Sequence, residues 1–305
     1  MAERAQHRYN WSYGRARECW AATAPRLGTI VSSVVLLTVL LFAMSVGLAG
    51  CGNDGSDPKS GPEIVRIAEQ FGLAYAPLVV ARETGLLEKA FPDAEIRWVQ
   101  LQNAAAIREA MVAGRLDIGF MGIPPFLIGA DRGMDWQVFT GLSEAPLMLV
   151  TNRDGVDELA DLGRRDRIAL PQPGSIQHIL LALAAERELG DAARFDQQLV
   201  SLSHPDALAA LTNRTGVTAY FGSPPYVQEA LTRGATAVVT GREAFGGPFT
   251  FIVGVSDGAF AEAYPDALAS VRQVIRDASD GLTAETAVTS LSSRFGLTEE
   301  HTREL

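Results

Sequence analysis

The sequence predicts an α/β protein built as two similar lobes with a ligand cleft between them. Three observations predict it. Strand-like and helix-like segments alternate from Glu63 onward, and the helical stretches are long enough to cross back over a parallel sheet and cover both its faces. The alternation then starts again after Thr151 as a second unit. Two extended segments, 147–152 and 240–255, are placed to carry the chain from one unit to the other and back. On this division 62–150 and 241–305 form the first lobe and 151–240 the second. A single continuous sheet is the alternative the same pattern allows. No internal period of about 20 to 50 residues is present, which argues against a solenoid.

In chain order, 64–68 reads as a strand followed by a loop over 70–76. Residues 77–89 form an amphipathic helix ending near Gly85, and 95–100 a second strand. Asn103 caps a helix over 104–113, its side chain able to accept a first-turn amide. Gly114 stands where a helix C-cap glycine belongs. Residues 116–121 are a short apolar run of the kind buried in a sheet. Gly122 opens a turn, and Pro124 and Pro125 suit the first turn of a helix, where no backbone donor is required. Extended runs at 137–141 and 145–151 follow. The second unit reads as a short helix at 159–162, a strand at 167–170, a long helix at 175–189, and a strand at 198–201. A helix at 205–211, a strand at 217–221, a helix at 227–232 and a strand at 235–240 complete it. Residues 249–255 return to the first unit, and alanine- and leucine-rich helices run from Ala259 to the end.

The first 51 residues are set aside before any fold reasoning. Arg4, Arg8, Arg15, Arg17 and Arg26 make a basic leader, and residues 28–50 carry no charge. The run closes in Leu48-Ala-Gly-Cys51, which resembles the lipobox of bacterial lipoproteins. That resemblance implies cleavage between Gly50 and Cys51, so that 1–50 is a signal peptide, with diacylglycerol on the Cys51 thiol. The alternative is an uncleaved transmembrane anchor, for which the length suffices. Both readings place the rest of the chain outside the cytoplasm. Residues 51–61 are polar and glycine-rich, a flexible tether.

Past the leader the chain carries 21 basic and 34 acidic side chains, a balance that argues against nucleic-acid partners. No cysteine follows Cys51, which excludes a disulfide, a thiol nucleophile and a cysteine metal site in the folded part. With His178, His204 and His301 as the only histidines there, no metal site is expected. Nor are catalytic residues or a cofactor.

A strand-to-helix junction places exposed amides at the carboxyl edge of a sheet, where a small ligand can be held. Gly122, Ile123 and Pro124 form one such junction. Gly174 and Ser175 form another, at the start of the long helix, with free amides, a hydroxyl and the positive end of a helix dipole. Plain N-capping by Ser175 is the competing reading, and one helix start can do both. Gln177 and His178 fall in the same first turn. His178 reads as a cleft-lining or packing histidine rather than a general base. Phe71, Tyr75 and Phe249, at loop edges, are candidates to line a ligand, with Phe221, Ser223 and Thr250 beside them. Phe251 and Tyr226 read as core. Ser143 and Glu144 precede the first crossover. There Glu144 would favour a cationic group or stand solvated.

Four segments carry a resemblance. They are Ala76-Pro-Leu-Val-Val-Ala-Arg-Glu-Thr-Gly-Leu-Leu87, the stretch Gly114 to Phe126, Gly174-Ser-Ile-Gln-His-Ile-Leu-Leu181 and Thr218-Ala-Tyr-Phe-Gly-Ser-Pro-Pro-Tyr226. In order and spacing they resemble the solute-binding lipoproteins of ABC transporters in the nitrate/sulfonate/taurine family. The resemblance implies the type II periplasmic-binding-protein fold, with two Rossmann-like lobes. It also implies capture of a small organic, sulfonate-like anion by lobe closure, and a membrane permease as partner to a monomeric receptor anchored on the extracytoplasmic face. Two departures stand out. The family's Trp-x-Pro-Tyr is Ser223-Pro-Pro-Tyr226 here, and the acidic residue after its second-loop glycine is Ile123. Both make the cleft less suited to a simple inorganic anion. A pyrimidine solute and a ligand-sensing role are the alternatives. The same fold serves a fungal thiamine-pyrimidine synthase with a cysteine-rich motif, which this chain lacks.

Overall fold

The computed structural model describes residues 61–144 and 146–305, all within the compact unit Asp57–Leu305. The leader, Cys51 and the tether up to Ser60 lie outside the described residues. The elements of the first lobe are β1 (Ile64–Glu69), α1 (Ala76–Glu83), α2 (Leu86–Ala90), β2 (Glu95–Gln100), α3 (Ala104–Val112), β3 (Ile118–Gly122), α4 (Ile123–Asp131) and β4 (Trp136–Ser143). The chain then builds β5 (Met148–Thr151), β6 (Ile168–Leu170), α5 (Ile176–Leu189), β7 (Leu199–Ser201), α6 (His204–Thr212), β8 (Ala219–Gly222), α7 (Tyr226–Thr232), β9 (Thr236–Thr240) and α8 (Gly241–Phe245). It returns through β10 (Ile252–Asp257) and ends in α9 (Gly258–Ala263), α10 (Pro265–Asp280), α11 (Glu285–Phe295) and α12 (Glu299–Glu304). Among the described residues no helix is long and apolar enough to cross a membrane.

The strands make two five-stranded sheets, ordered β2-β1-β3-β10-β4 and β7-β6-β8-β5-β9. The two orders are the same topology, with β6, β7, β8 and β9 standing for β1, β2, β3 and β4. The expected parallel sheets are mixed. β10 runs antiparallel between β3 and β4, and β5 antiparallel between β8 and β9. Each of these strands enters its sheet from a crossover rather than from a helix. It therefore arrives at the edge where the parallel strands end and runs back against them.

Burial follows the two-residue period of a strand. In β3, Ile118 and Phe120 face a core that runs through both lobes, while Met121 faces a second cluster with Ile107, Met111 and Trp136. In β8, Ala219 and Phe221 join the shared core, and Tyr220 faces a third cluster with Leu208, Leu211 and Val227. The inner strands β3, β6, β8 and β10 are thus covered on both faces, which is why they read as short apolar runs. The helix expected over 77–89 is broken in two at Gly85, which adopts φ 64°. A left-handed residue cannot continue an α-helix, and glycine accepts it without strain. α10 lays Leu268, Val271, Val274 and Ile275 inward, against α1.

Hydrogen bonds tie the crossovers together. Phe251 N–H donates to Ser143 C=O at 2.9 Å, and Gly241 N–H to Leu147 C=O at 2.7 Å. β5 pairs only within the second sheet and β10 only within the first, while α8 packs on α5.

Candidate functional site

The lobes meet along the edge where their parallel strands end. There the chain leaves each strand and starts a helix, so loop backbone and helix N-termini face the other lobe. Between them is a narrow cleft with a cavity volume of about 20 Å³. From the first lobe come Gln70, Phe71 and Tyr75 after β1, Ala104 after β2, and Gly122 and Pro125 after β3. From the second come Pro171, Gln172, Ser175, Ile176 and Gln177 after β6, and His204 after β7. Phe251 and Ile252, at the start of antiparallel β10, complete the wall. The lobes touch across it. Ala105 N–H donates to Gln172 Oε1 at 2.8 Å, and Leu73 N–H to Pro224 C=O at 2.8 Å.

The polar end belongs to α5. Of its four first-turn donors, Ser175 N–H is taken by Gln172 C=O at 3.1 Å and His178 N–H by Ser175 Oγ at 3.3 Å. Ile176 and Gln177 N–H are left without an acceptor in their own helix, at the positive end of its dipole. The Gln177 side chain is 2 % exposed, yet its amide meets no partner among the described residues. Gln172 spends its oxygen on α3 and keeps its –NH₂ free to donate. α3 adds Ala104 N–H, since Asn103 Oδ1 takes Ala106 N–H at 3.0 Å. α4 offers less than its position promises, because prolines at 124 and 125 remove two of its donors.

On the other flank, His204 opens α6 and is 6 % exposed. Its Nδ1 meets Tyr220 Oη at 2.5 Å. Burial alone pushes its pKa down to about 4, so the imidazole is neutral at neutral pH. Tyr220 folds back over Gly222, where an added Cβ would stand 2.1 Å from the phenol ring. The first-lobe wall is Tyr75 and Gln70, with Phe71 and Phe251. Gln70 Nε2 donates to Phe120 C=O at 3.2 Å. Behind it, Glu69 is buried against Arg82 at 2.5 Å and Arg294 at 3.6 Å. Burial raises its carboxyl pKa, and the two guanidinium groups offset only part of that rise. Among the described residues that line the cleft, none carries a charged side chain at neutral pH.

Of the residues singled out from sequence, the structure brings Phe71, Tyr75, Gly122, Ser175 and Gln177 together in the cleft. Gly174 sits at its rim, but its N–H goes to His178 Nδ1 at 2.9 Å. That bond turns His178 away, with Nε2 against Asp196 at 3.1 Å. Ile123 and Pro124 point along α4, where Ile123 packs on the Met121–Trp136 cluster. Phe221 lies in the shared core. Ser223 is buried beside Gly72, its Oγ unpartnered among the described residues. Ser143 and Glu144 line a groove with Leu282, Leu291 and Arg303, and Glu144 also borders a hinge pocket with Arg242 and Phe249. Thr250 is exposed beside Gly141. Reading the sequence missed Gln70, Ala104, Gln172 and His204 as wall residues, while Phe251, read as core, does join the shared core and also borders the cleft. The signal was present for the first four, because each follows a predicted strand and three of them stand at or beside a helix start.

Comparison with known proteins agrees with this geometry. An Escherichia coli (strain K12) chain named as an aliphatic sulfonates-binding protein is 33 % identical over 186 residues, 59 % of this chain and 56 % of its own length. A Bacillus subtilis (strain 168) chain of the same name is 30 % identical over 251 residues, covering 79 % and 72 %. Among solved structures, the alkanesulfonate-binding protein SsuA from Xanthomonas axonopodis pv. citri, bound to MOPS, superposes with a TM-score of 0.67 at 27 % identity, over 80 % of this chain and 83 % of that one. The nitrate-binding protein NrtA from Synechocystis, at 14 % identity and a TM-score of 0.63 over 78 % of this chain and 68 % of its own, shares the fold. The NMT1-like family model matches residues 59–293, so the chain belongs to the NMT1-like family of solute-binding proteins with the two-lobed periplasmic-binding fold.

Proposed function

We propose that the chain is the lipid-anchored, extracytoplasmic binding protein of an ABC importer, capturing a small organic sulfonate by lobe closure. The observation that carries this is a cleft whose donors are neutral. Ile176 and Gln177 N–H, Ala104 N–H and the Gln172 amide converge at helix N-termini, facing an apolar wall of Phe71, Tyr75, Pro125 and Phe251. Such a site stabilises a monoanionic head without a counter-charge and shelters a short apolar body. The apolar wall gives a bare inorganic anion nothing to bury. An ammonium on the ligand would find no carboxylate, since Glu144 lies at the hinge. MOPS, held by the Xanthomonas relative, is itself a sulfonate on a three-carbon arm.

The mechanism is binding rather than bond chemistry. Ligand touching both lobes shifts an open–closed equilibrium toward the closed form, which a membrane permease would recognise from a monomer tethered through Cys51. The test is a thermal-shift and calorimetric screen of the purified chain against alkanesulfonates, taurine, nitrate, carboxylates and pyrimidines. A ligand at about 100 times its Kd adds about 2.7 kcal/mol. Stabilisation by alkanesulfonates above taurine and nitrate is expected, and stabilisation by pyrimidines alone would overturn the reading. For the anchor, Cys51→Ser is expected to release the protein from the membrane fraction. Persistent membrane association of the variant would favour an uncleaved span.

A further inference from the structure

We propose that His204 is a ligand-contacting, specificity-determining residue, held by Tyr220 in the tautomer that presents Nε2–H to the head group of the bound anion. The proposal rests on the sulfonate-capture reading and adds a donor that the sequence did not reveal. His204 lines the cleft from the second lobe. Its ring is clamped, with Tyr226 stacked on it at 5.8 Å and 15° between planes, and Tyr220 edge-on at 5.8 Å and 65°. Orientation is therefore set by packing, and the tautomer by hydrogen bonding. Between a phenol and a neutral imidazole, the phenol O–H is the stronger donor and the ring nitrogen the stronger acceptor. Tyr220's proton therefore goes to His204 Nδ1, the atom 2.5 Å away. With Nδ1 accepting and the imidazole neutral, the ring proton must sit on Nε2. Nε2 meets no acceptor among the described residues, and its residue lines the cleft. An anion in the cleft supplies that acceptor.

Tyr220 is the positioning residue of this arrangement. Gly222 lets its ring fold back, and the hydroxyl meets His204 Nδ1. A neutral donor at this place favours an oxyanion and disfavours an ammonium, which would meet an N–H instead of a lone pair. It complements the α5 amides from the opposite flank.

The test uses the full chain with ¹⁵N-labelled histidine and butane-1-sulfonate as probe. At pH 7, His204 is expected to show a protonated Nε2 and a bare Nδ1, and saturating probe is expected to shift the Nε2 signals. His204→Leu is expected to weaken binding about 10- to 100-fold, the range for a hydrogen bond to a charged group, while His204→Gln, which retains an N–H, recovers most of it. If His204→Leu does not fold, Tyr220→Phe takes its place. It keeps the ring, and is expected to mix the tautomers and weaken binding several-fold. The proposal stands only if both the spectroscopic and the affinity result appear. A protonated Nδ1, unmoved Nε2 signals, or unchanged affinity in the variant overturns it while leaving sulfonate capture intact. Wild-type protein that binds no sulfonate overturns both.

Discussion

His204 makes the stability of this chain depend on pH in a direction that can be worked out. In the unfolded chain its imidazole titrates near 6.5, and in the folded protein burial holds it at about 4. Between these values the unfolded state binds the proton and the folded state does not, so acid favours unfolding. The stabilisation is complete above the unfolded value and is lost as pH falls from about 6.5 to about 4. It amounts to about 3 kcal/mol at full extent. Denaturant melts of wild type and His204→Gln at pH 7.5 and 4.5 check this, the variant being expected to show the smaller acid loss. Nothing around the ring offsets it, since its neighbours Tyr220 and Tyr226 are both pushed to higher pKa by burial and stay neutral throughout. At this scale the sequence was only partly legible. A histidine in the first turn after a Ser N-cap looks the same whether its ring turns into a cleft, as His204 does, or onto its own loop, as His178 does. The difference lies in partners distant in the chain, Tyr220 for one and Asp196 for the other.

At the scale of elements, α5 joins structure to binding. Ser175 caps it, and Ser175→Ala is expected to cost about 1 kcal/mol in denaturant unfolding, the usual value of such a cap. His178→Ala separates the two roles of that first turn. The His178 ring accepts from Gly174 and faces Asp196 outside the cleft wall, so its loss is expected to lower stability while leaving sulfonate affinity within about twofold. A tenfold loss of affinity in calorimetry would place the ring at the ligand instead. The inner strands were legible because each is short and buried on both faces. Their direction was not. Nothing local in 249–255 distinguishes a strand running with its neighbours from one running against them, and only the crossover that feeds β10 decides it.

For the whole molecule, closure is written in the contacts that span the lobes. Gln172 Oε1 accepting Ala105 N–H holds the start of α3 to the loop after β6, while the Gly222–Pro225 loop is tied to Leu73. Gln172→Ala removes both an interlobe bond and a ligand donor. It is expected to weaken sulfonate binding by about fivefold or more, as one lost hydrogen bond implies. Small-angle scattering of the unliganded variant is expected to give a larger radius of gyration than wild type. An unchanged radius with unchanged affinity would mean that Gln172 neither bridges nor binds.

The sequence by itself determined the α/β class, the two-unit repeat, the near-exact span of most strands and helices, and the principle that the site lies where strands give way to helix starts. These follow from information carried within a few residues: burial periodicity, capping side chains, glycine and proline. It also located Ser175, Gln177, Phe71 and Tyr75, because helix starts and loop edges are local features. Only the tertiary structure decided which helix starts face one another, that Gly174 and His178 satisfy each other, and that Glu144 and Phe249 go to the hinge. It alone brought Gln70, Gln172 and His204 to one cleft. The physical reason is common to all of these. A side chain's partner across a cleft is set by how two separately folded sheets dock, and no spacing along the chain encodes the angle between them.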